Sequence, residues 1–206
     1  MKLKLISMAA AALFAAAPAF ASTPFSVDFE KTWAYGEAVD NTYAAAGVSF
    51  TNVLGLSNGD GLGGLLNGDY YANAPSPLGT ASVQLDGVFN TTSFMNVAGG
   101  VDNSLSFFYS SPEAITGAIK AYSGLNGTGT LLGSFDMAAT DGAYSVWNNA
   151  TFSFSGTALS FDLTQTANVA ALDNVAAVPE PEMLSLMFVG LGLIGAVVRR
   201  KQKATA

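Results

Sequence analysis

The chain has 206 residues, of which 50% are hydrophobic and 11% are charged, and its formal net charge is −7. It contains no His and no Cys, which excludes Ser-His-Asp and Cys-His nucleophiles, disulfide bonds, and zinc, haem or iron–sulfur centres held by thiolate and imidazole ligands. With 22 glycines, the composition indicates a secreted, mostly β protein whose stability depends on packing and on no covalent cross-link.

The first 21 residues have the three parts of a secretory signal peptide. Two lysines come first, an apolar run covers 5–17, and Ala19-Phe20-Ala21 matches the small-residue pattern at which signal peptidase cuts. We therefore expect cleavage between Ala21 and Ser22. A signal peptide that is removed is no part of the folded protein.

Residues 22–178 have the length of one ordinary domain, and we expect them to form the exported part of the protein. This stretch contains 13 acidic residues against only two basic ones, Lys31 and Lys120, which gives a net charge of −11. Such a surface repels nucleic acid and anionic lipids, so neither is an expected partner. It can attract divalent cations, and it also suits simple solubility.

Short apolar segments, several with strict alternation, predict β-strands separated by clusters of Gly, Asn, Ser and Asp. The nine candidates are Phe25–Glu30, Val48–Val53, Ala81–Asp86, Leu105–Tyr109, Ile115–Tyr122, Leu131–Met137, Ala150–Phe154, Leu159–Leu163 and Val169–Val175. No window between the two ends has helical periodicity. The pattern predicts an all-β fold, a jelly-roll-like antiparallel β-sandwich.

Acidic residues near the first and last strands form the first candidate site. In jelly rolls these two strands often lie close together, which would bring Asp28 and Glu30 near Asp173 and Asn174. Carboxylate and amide oxygens are the ligands that Ca²⁺ prefers. The segment Leu172-Asp173-Asn174-Val175 is similar to the last strand of carbohydrate-binding sandwiches, and that resemblance implies a structural Ca²⁺ here. The alternative is a set of solvated strand-end acids, and no other cofactor is expected.

Aromatic residues in loop-like contexts form the second candidate site, because sugar rings stack on aromatic faces while Asn and Asp supply hydrogen bonds. Tyr70, Tyr71 and Asn73, beside a glycine-rich loop, are the best candidates for ligand binding. Trp33 and Tyr43 belong to the same set. The alternative is that these rings fill the core of the sandwich or its ends.

The C-terminal end has the pattern of a membrane-spanning segment that is preceded by polar residues and followed by basic ones. Met183–Val198 is uncharged for 16 residues, and as a helix it would span about 24 Å, slightly less than a bilayer core of about 30 Å. Arg199, Arg200 and Lys201 follow, and by the positive-inside tendency this basic end, 199–206, stays in the cytoplasm. We therefore expect one transmembrane helix with the bulk of the chain outside.

Pro179-Glu180-Pro181, a short apolar helix and the Arg-Arg-Lys cluster together resemble the PEP-CTERM sorting tail of Gram-negative bacteria. The resemblance covers residues 179–206 and implies that an exosortase recognises the Pro-Glu-Pro triplet, removes the tail and delivers the protein to the cell surface or exopolysaccharide. The two prolines also stiffen an extended segment, which suits a protease groove. The same tail is known as an ice-binding-protein C-terminal domain, a label that need not imply ice binding.

Taken together, these features predict a non-enzymatic protein of the cell surface or extracellular matrix. Signal peptidase and exosortase are its expected processing partners, and exopolysaccharide is its expected associate. A single-pass inner-membrane form would precede the surface or extracellular form. The alternatives are a lectin-like carbohydrate-binding module and a polysaccharide hydrolase or lyase.

Overall fold

The computed structural model describes residues 24–34, 36–57, 61–62, 65–66, 73–83, 92–142, 144–177 and 190. Within 24–177 the described residues form eleven strands and three short 3₁₀ turns, at Ala44–Ala46, Leu125–Gly127 and Thr164–Thr166. The strands are β1 (Phe25–Val27), β2 (Val48–Thr51), β3 (Leu54–Ser57), β4 (Gly61–Leu62), β5 (Leu65–Leu66), β6 (Gly79–Ser82), β7 (Phe94–Ser110), β8 (Ile115–Tyr122), β9 (Leu131–Met137), β10 (Asn148–Asp162) and β11 (Ala171–Ala177).

The two longest strands, β7 and β10, pair antiparallel from Asn148 opposite Tyr109 to Asp162 opposite Phe94, with two interruptions in register. These two strands form a long ribbon. Beside the half of the ribbon that contains Tyr109, β11 pairs with β7. β6 pairs with the start of β11 and β1 with its end, and β3 pairs with β6. Along the other half, β2 pairs with β7, β8 pairs with β10, and β9 pairs with β8. Every one of these pairings is antiparallel.

The strands form two packed layers because the β7–β10 ribbon bends. Its register shifts between Ser153 and Thr157 and again between Ala158 and Ser160, and such bulges bend a strand and increase its twist. The ring of Phe135 on β9 lies 5.3 Å from that of Phe107 on β7, although β9 pairs only with β8 among the described strands. This aromatic contact therefore joins one layer to the other, and the β-sandwich predicted from the sequence is confirmed.

A single hydrophobic core lies between the layers. Phe107, Phe152 and Phe161 are almost completely buried in it. Their rings belong to a chain of edge-on and tilted aromatic contacts with centroids 5.3–6.4 Å apart, a geometry that adds attraction beyond the area buried.

Trp33 belongs to this core and is not an exposed aromatic, which decides between the two alternatives that the sequence left open for it. Its ring is 1% exposed, and its indole N–H donates to the carbonyl of Phe29, 2.9 Å away. A Cβ added at Gly55 would overlap the indole ring, and one added at Gly79 would lie 2.9 Å from its nitrogen. Two glycines therefore make room for one large side chain next to the end of β1.

Several strand boundaries differ from those predicted. The predicted strands Ala150–Phe154 and Leu159–Leu163 are parts of the single strand β10, because pairing with β7 resumes at Thr157 after the bulge. Leu105–Tyr109 is likewise only the end of β7. β3 (Leu54–Ser57) was not among the predicted strands; it is only four residues long and contains Gly55, a residue type that is depleted in strands.

The packing of Trp33 against glycine gives a first prediction. Replacing Gly55 with Ala should lower the free energy of unfolding toward the upper end of the about 1–3 kcal/mol that overpacking a core usually costs, because the added Cβ would overlap a buried ring. Thermal and urea denaturation followed by near-ultraviolet circular dichroism measure the change. Gly36→Ala is the matched control, because an added Cβ there meets nothing within 4 Å and only its positive φ adds strain, at a cost of about 1 kcal/mol. Equal loss of stability in both variants would contradict the prediction.

Candidate functional site

The pairing of the first and last strands brings the predicted acidic residues to one end of the sandwich. Val27 on β1 lies opposite Val175 on β11, so the segment that follows β1 emerges beside the middle of β11. Asp28 and Glu30 are on that segment, while Asp173 and Asn174 are on β11. The expected closeness of the first and last strands is thus present in the structure.

Asp173 is a fully buried carboxyl group, with 0% of its surface exposed. Its Oδ2 accepts a hydrogen bond from the backbone N–H of Ser76 (2.8 Å), and its Oδ1 accepts one from the N–H of Asn174 (2.7 Å). Burial raises the pKa of Asp173 to about 7, the two N–H donors oppose that rise, and the nearby charge of Glu30 adds to it. The group therefore titrates close to neutral pH.

The same acidic residues hold the segment 73–78 in place. Glu30 Oε1 accepts the backbone N–H of Leu78 at 2.7 Å, and Asn174 Oδ1 accepts the hydroxyl of Ser76 at 2.9 Å. At the other end of the segment, the Asn73 side-chain amide donates to the carbonyl of Ser145 at 2.8 Å. The partners in these contacts lie far apart in the sequence, by 98 positions for Ser76 and Asn174. Nothing in the local sequence pattern indicates that 73–78 is the partner of the acidic residues.

Only part of the second candidate site, which consists of Tyr70, Tyr71 and Asn73, lies among the described residues. Asn73 is described, and its amide nitrogen is already bonded to Ser145, whereas Tyr70 and Tyr71 lie outside the described residues. Tyr43 packs edge-on against Phe29 with ring centroids 5.7 Å apart. Burial, followed by the charge of Asp28, raises the pKa of its hydroxyl. Tyr43 therefore belongs to the edge of the core, and the sugar-binding role of Tyr70, Tyr71 and Asn73 stays a prediction.

The calcium site also stays a prediction. Among the residues that the structure describes, no group of three or more acidic side chains is arranged to hold a metal ion. Asp28 accepts the N–H of Glu30 (3.2 Å), Glu30 accepts that of Leu78, and both oxygens of Asp173 accept N–H groups. The hydrogen bonds to Asp28 and Glu30 each use one carboxylate oxygen, and an ionised carboxylate can accept at about four positions, so these contacts leave acceptor sites for a cation.

The C-terminal segment 177–201 matches the PEP-CTERM protein-sorting motif. The match contains Pro179, Glu180 and Pro181 as well as the basic residues 199–201, all of which lie outside the described residues. The chain therefore carries the signal typical of surface proteins that an exosortase sorts. In the part of the chain that the structure describes, no helix has the length and hydropathy needed to cross a bilayer. The predicted cleavage site at Ala21 and Ser22 also lies outside it.

Comparison with solved structures finds distant similarity to adhesin domains and carbohydrate-binding modules. The K2 adhesin domain of Lys-gingipain is 13% identical over 75% of this chain and 99% of its own length, with a TM-score of 0.46. The K1 adhesin domain of Lys-gingipain from Porphyromonas gingivalis W83 is 14% identical over 77% and 99%, also with a TM-score of 0.46. A family 6 carbohydrate-binding module is 10% identical over 76% and 94%, with a TM-score of 0.43. No curated protein matches the chain.

The raised pKa of Asp173 predicts how stability depends on pH. Between pH 3.8, the ordinary pKa of an Asp side chain, and about pH 7, the carboxyl group of Asp173 is ionised in the unfolded chain and protonated in the folded chain. The contribution of Asp173 to stability is therefore greatest at low pH, decreases through this window and is constant above it. Melting temperatures measured in EDTA across the window should show this decrease.

Asp173→Asn should remove this component of the pH dependence, because the amide does not titrate. The exposed Asp141→Asn is the matched control and should keep the wild-type profile. The same profile in wild type and Asp173→Asn would contradict the prediction.

Calcium binding has its own measurement. Near neutral pH, millimolar Ca²⁺ should raise the melting temperature of the wild-type protein, because a cation that binds only the folded state stabilises it, and should leave that of Asp173→Asn unchanged. Mg²⁺ serves as the control, since its smaller, stricter octahedral site suits these ligands less well. No heat in calorimetric titration and no rise in melting temperature would rule out the site.

Proposed function

We propose that the chain is a non-enzymatic, exported protein of the cell surface or extracellular matrix, sorted by an exosortase and associated with exopolysaccharide. The match of 177–201 to the PEP-CTERM motif carries the proposal. The signal-peptide pattern of residues 1–21 supports it, because a C-terminal sorting tail acts only on a chain whose N-terminus has already been exported.

The order of processing follows from the physical character of the two ends. Signal peptidase cuts after Ala21 and frees the N-terminus outside the inner membrane. The apolar segment 183–198 holds the chain there, because the basic residues behind it stay on the cytoplasmic side. Exosortase then acts at Pro179-Glu180-Pro181, and the exported part leaves the membrane.

The charge of the exported part supports a role outside the cell. With 13 acidic residues and only two lysines in residues 22–178, the released protein is repelled by nucleic acid and by anionic lipid headgroups. After the tail is removed, no lipid partner is needed. Association with an uncharged polysaccharide meets no such repulsion.

A non-enzymatic role fits the contacts of the acidic residues better than glycoside hydrolysis does. Hydrolysis uses one carboxyl as a general acid and a second to act on the sugar or on water. Here Glu30 and Asp173 bind the backbone N–H groups of residues 78 and 76. These carboxylates are occupied in holding a loop in place. Release of reducing sugar from the native polymer by the purified protein would instead favour the hydrolase alternative.

Removal of the sorting triplet tests the proposal. In cells that contain an exosortase, wild-type protein should be released with a mass that lacks the C-terminal tail. Replacing Pro179, Glu180 and Pro181 together with Ala should leave full-length protein in the membrane fraction, because the apolar helix is no longer separated from its cargo. Intact-mass spectrometry and fractionation measure both outcomes.

Glu182→Ala is the matched control, because it removes a neighbouring negative charge but keeps the triplet. It should be processed like wild type. Recovery of wild-type protein that still ends at Ala206 would contradict exosortase processing and indicate a permanently anchored protein.

A further inference from the structure

A cleft of about 280 Å³ opens on the surface between two of the 3₁₀ turns, where β2 and β7 begin. Its accessible apolar lining comes from Ala44, Ala98 and Leu125, while Val48, which also borders it, is fully buried. None of the residues that line it is charged.

Amides and one hydroxyl complete the lining. Asn41 precedes the first turn, Ser49 lies on β2, and Asn96 lies on β7. The side chain of Asn96 is locked by two reciprocal hydrogen bonds, because its Oδ1 accepts the N–H of Asn126 and its Nδ2 donates to the Asn126 side chain, both at 2.8 Å. Asn96 keeps one N–H and one lone pair available, since a side-chain amide can make four hydrogen bonds.

Both walls of the cleft are held before any ligand arrives. The turn that carries Leu125 is tied to β10, because the Ser160 hydroxyl accepts the N–H of Gly127 at 2.9 Å and donates to the carbonyl of Gly124 at 2.6 Å. The opposite turn is tied to β7 by the N–H of Ala98, which donates to the carbonyl of Gly47 at 2.9 Å. A preformed cleft binds at a lower ordering cost than one that must assemble.

We propose that this cleft binds one neutral sugar unit. A sugar ring has an apolar C–H face, which the aliphatic lining can contact, and hydroxyl groups at its edge, which amides and a hydroxyl can bind. An ionic ligand would find no countercharge in the lining, and the surrounding negative charge repels anions. The cleft is close to the lower limit of about 300 Å³ for sites that hold drug-sized ligands, which suits a single ring.

The cleft would be a binding surface of the proposed surface protein, and the biological meaning of sugar binding rests on that proposed function. Its test is independent of sorting, because binding is measured with purified protein. Failure of the exosortase experiment would leave the cleft untouched, and failure of sugar binding would leave the sorting unchanged.

The experiment uses saturation-transfer-difference NMR with the full-length chain in a detergent that has no sugar headgroup. The probes are glucose, galactose, mannose and N-acetylglucosamine, with glucuronic acid as the charged comparison. At least one neutral sugar should bind with roughly millimolar affinity, while glucuronic acid should not bind. No signal from any neutral sugar, or equal binding of glucuronic acid, would overturn the proposal.

Ala44 and Ala45 supply a matched pair of variants, because both are exposed in the same turn and only Ala44 lines the cleft. Ala44→Trp should weaken binding at least about tenfold by filling the cleft, a loss of about 1.4 kcal/mol, whereas Ala45→Trp should bind like wild type. Ser49→Ala, which removes a hydroxyl and adds no bulk, should weaken binding even if Ala44→Trp unfolds. Wild-type binding by a folded Ala44→Trp would overturn the proposal, and so would wild-type binding by Ser49→Ala if Ala44→Trp does not fold.

Discussion

The antiparallel pairing of β7 with β10 is the interaction on which the rest of the structure depends. Each strand of the ribbon is long enough to contribute to both layers, and the bulges between Ser153 and Ser160 let it pass from one to the other. The remaining strands of the main sheet add to one half of this ribbon or the other. The positions of the acidic residues Asp28, Glu30 and Asp173 and of the cleft therefore both depend on where the ribbon bends and on which strands pair with each half of it.

At the end of the sandwich where β1 pairs with β11, carboxylate groups have a structural role. Asp173 is out of contact with water, and two backbone N–H groups compensate for part of the lost hydration. Glu30 binds a third N–H group, at the end of the same loop. In the fold these residues attach the segment 73–78 to the last strand, and the calcium role suggested by the sequence stays a prediction.

Charge differs between the cleft and the rest of residues 22–178. These residues carry a net charge of −11, which repels other polyanions, while the residues that line the cleft, among them Ser49 and Asn96, are uncharged. Under the proposed function, the sorting tail would bring the chain to the surface, and the uncharged cleft would be available to a neutral sugar.

The sequence by itself determined features whose signal is local. The strands Ile115–Tyr122 and Leu131–Met137 have the predicted bounds, because alternation and flanking turn residues mark them, and the sorting motif is recognisable because its parts follow one another along the chain. Only the tertiary structure decided that Gly156 lies at a bulge within a strand, that Trp33 is buried, and that Ser76 binds Asp173. Those outcomes depend on pairing and packing between residues far apart in the chain, and such contacts leave no periodic pattern in the residues that make them.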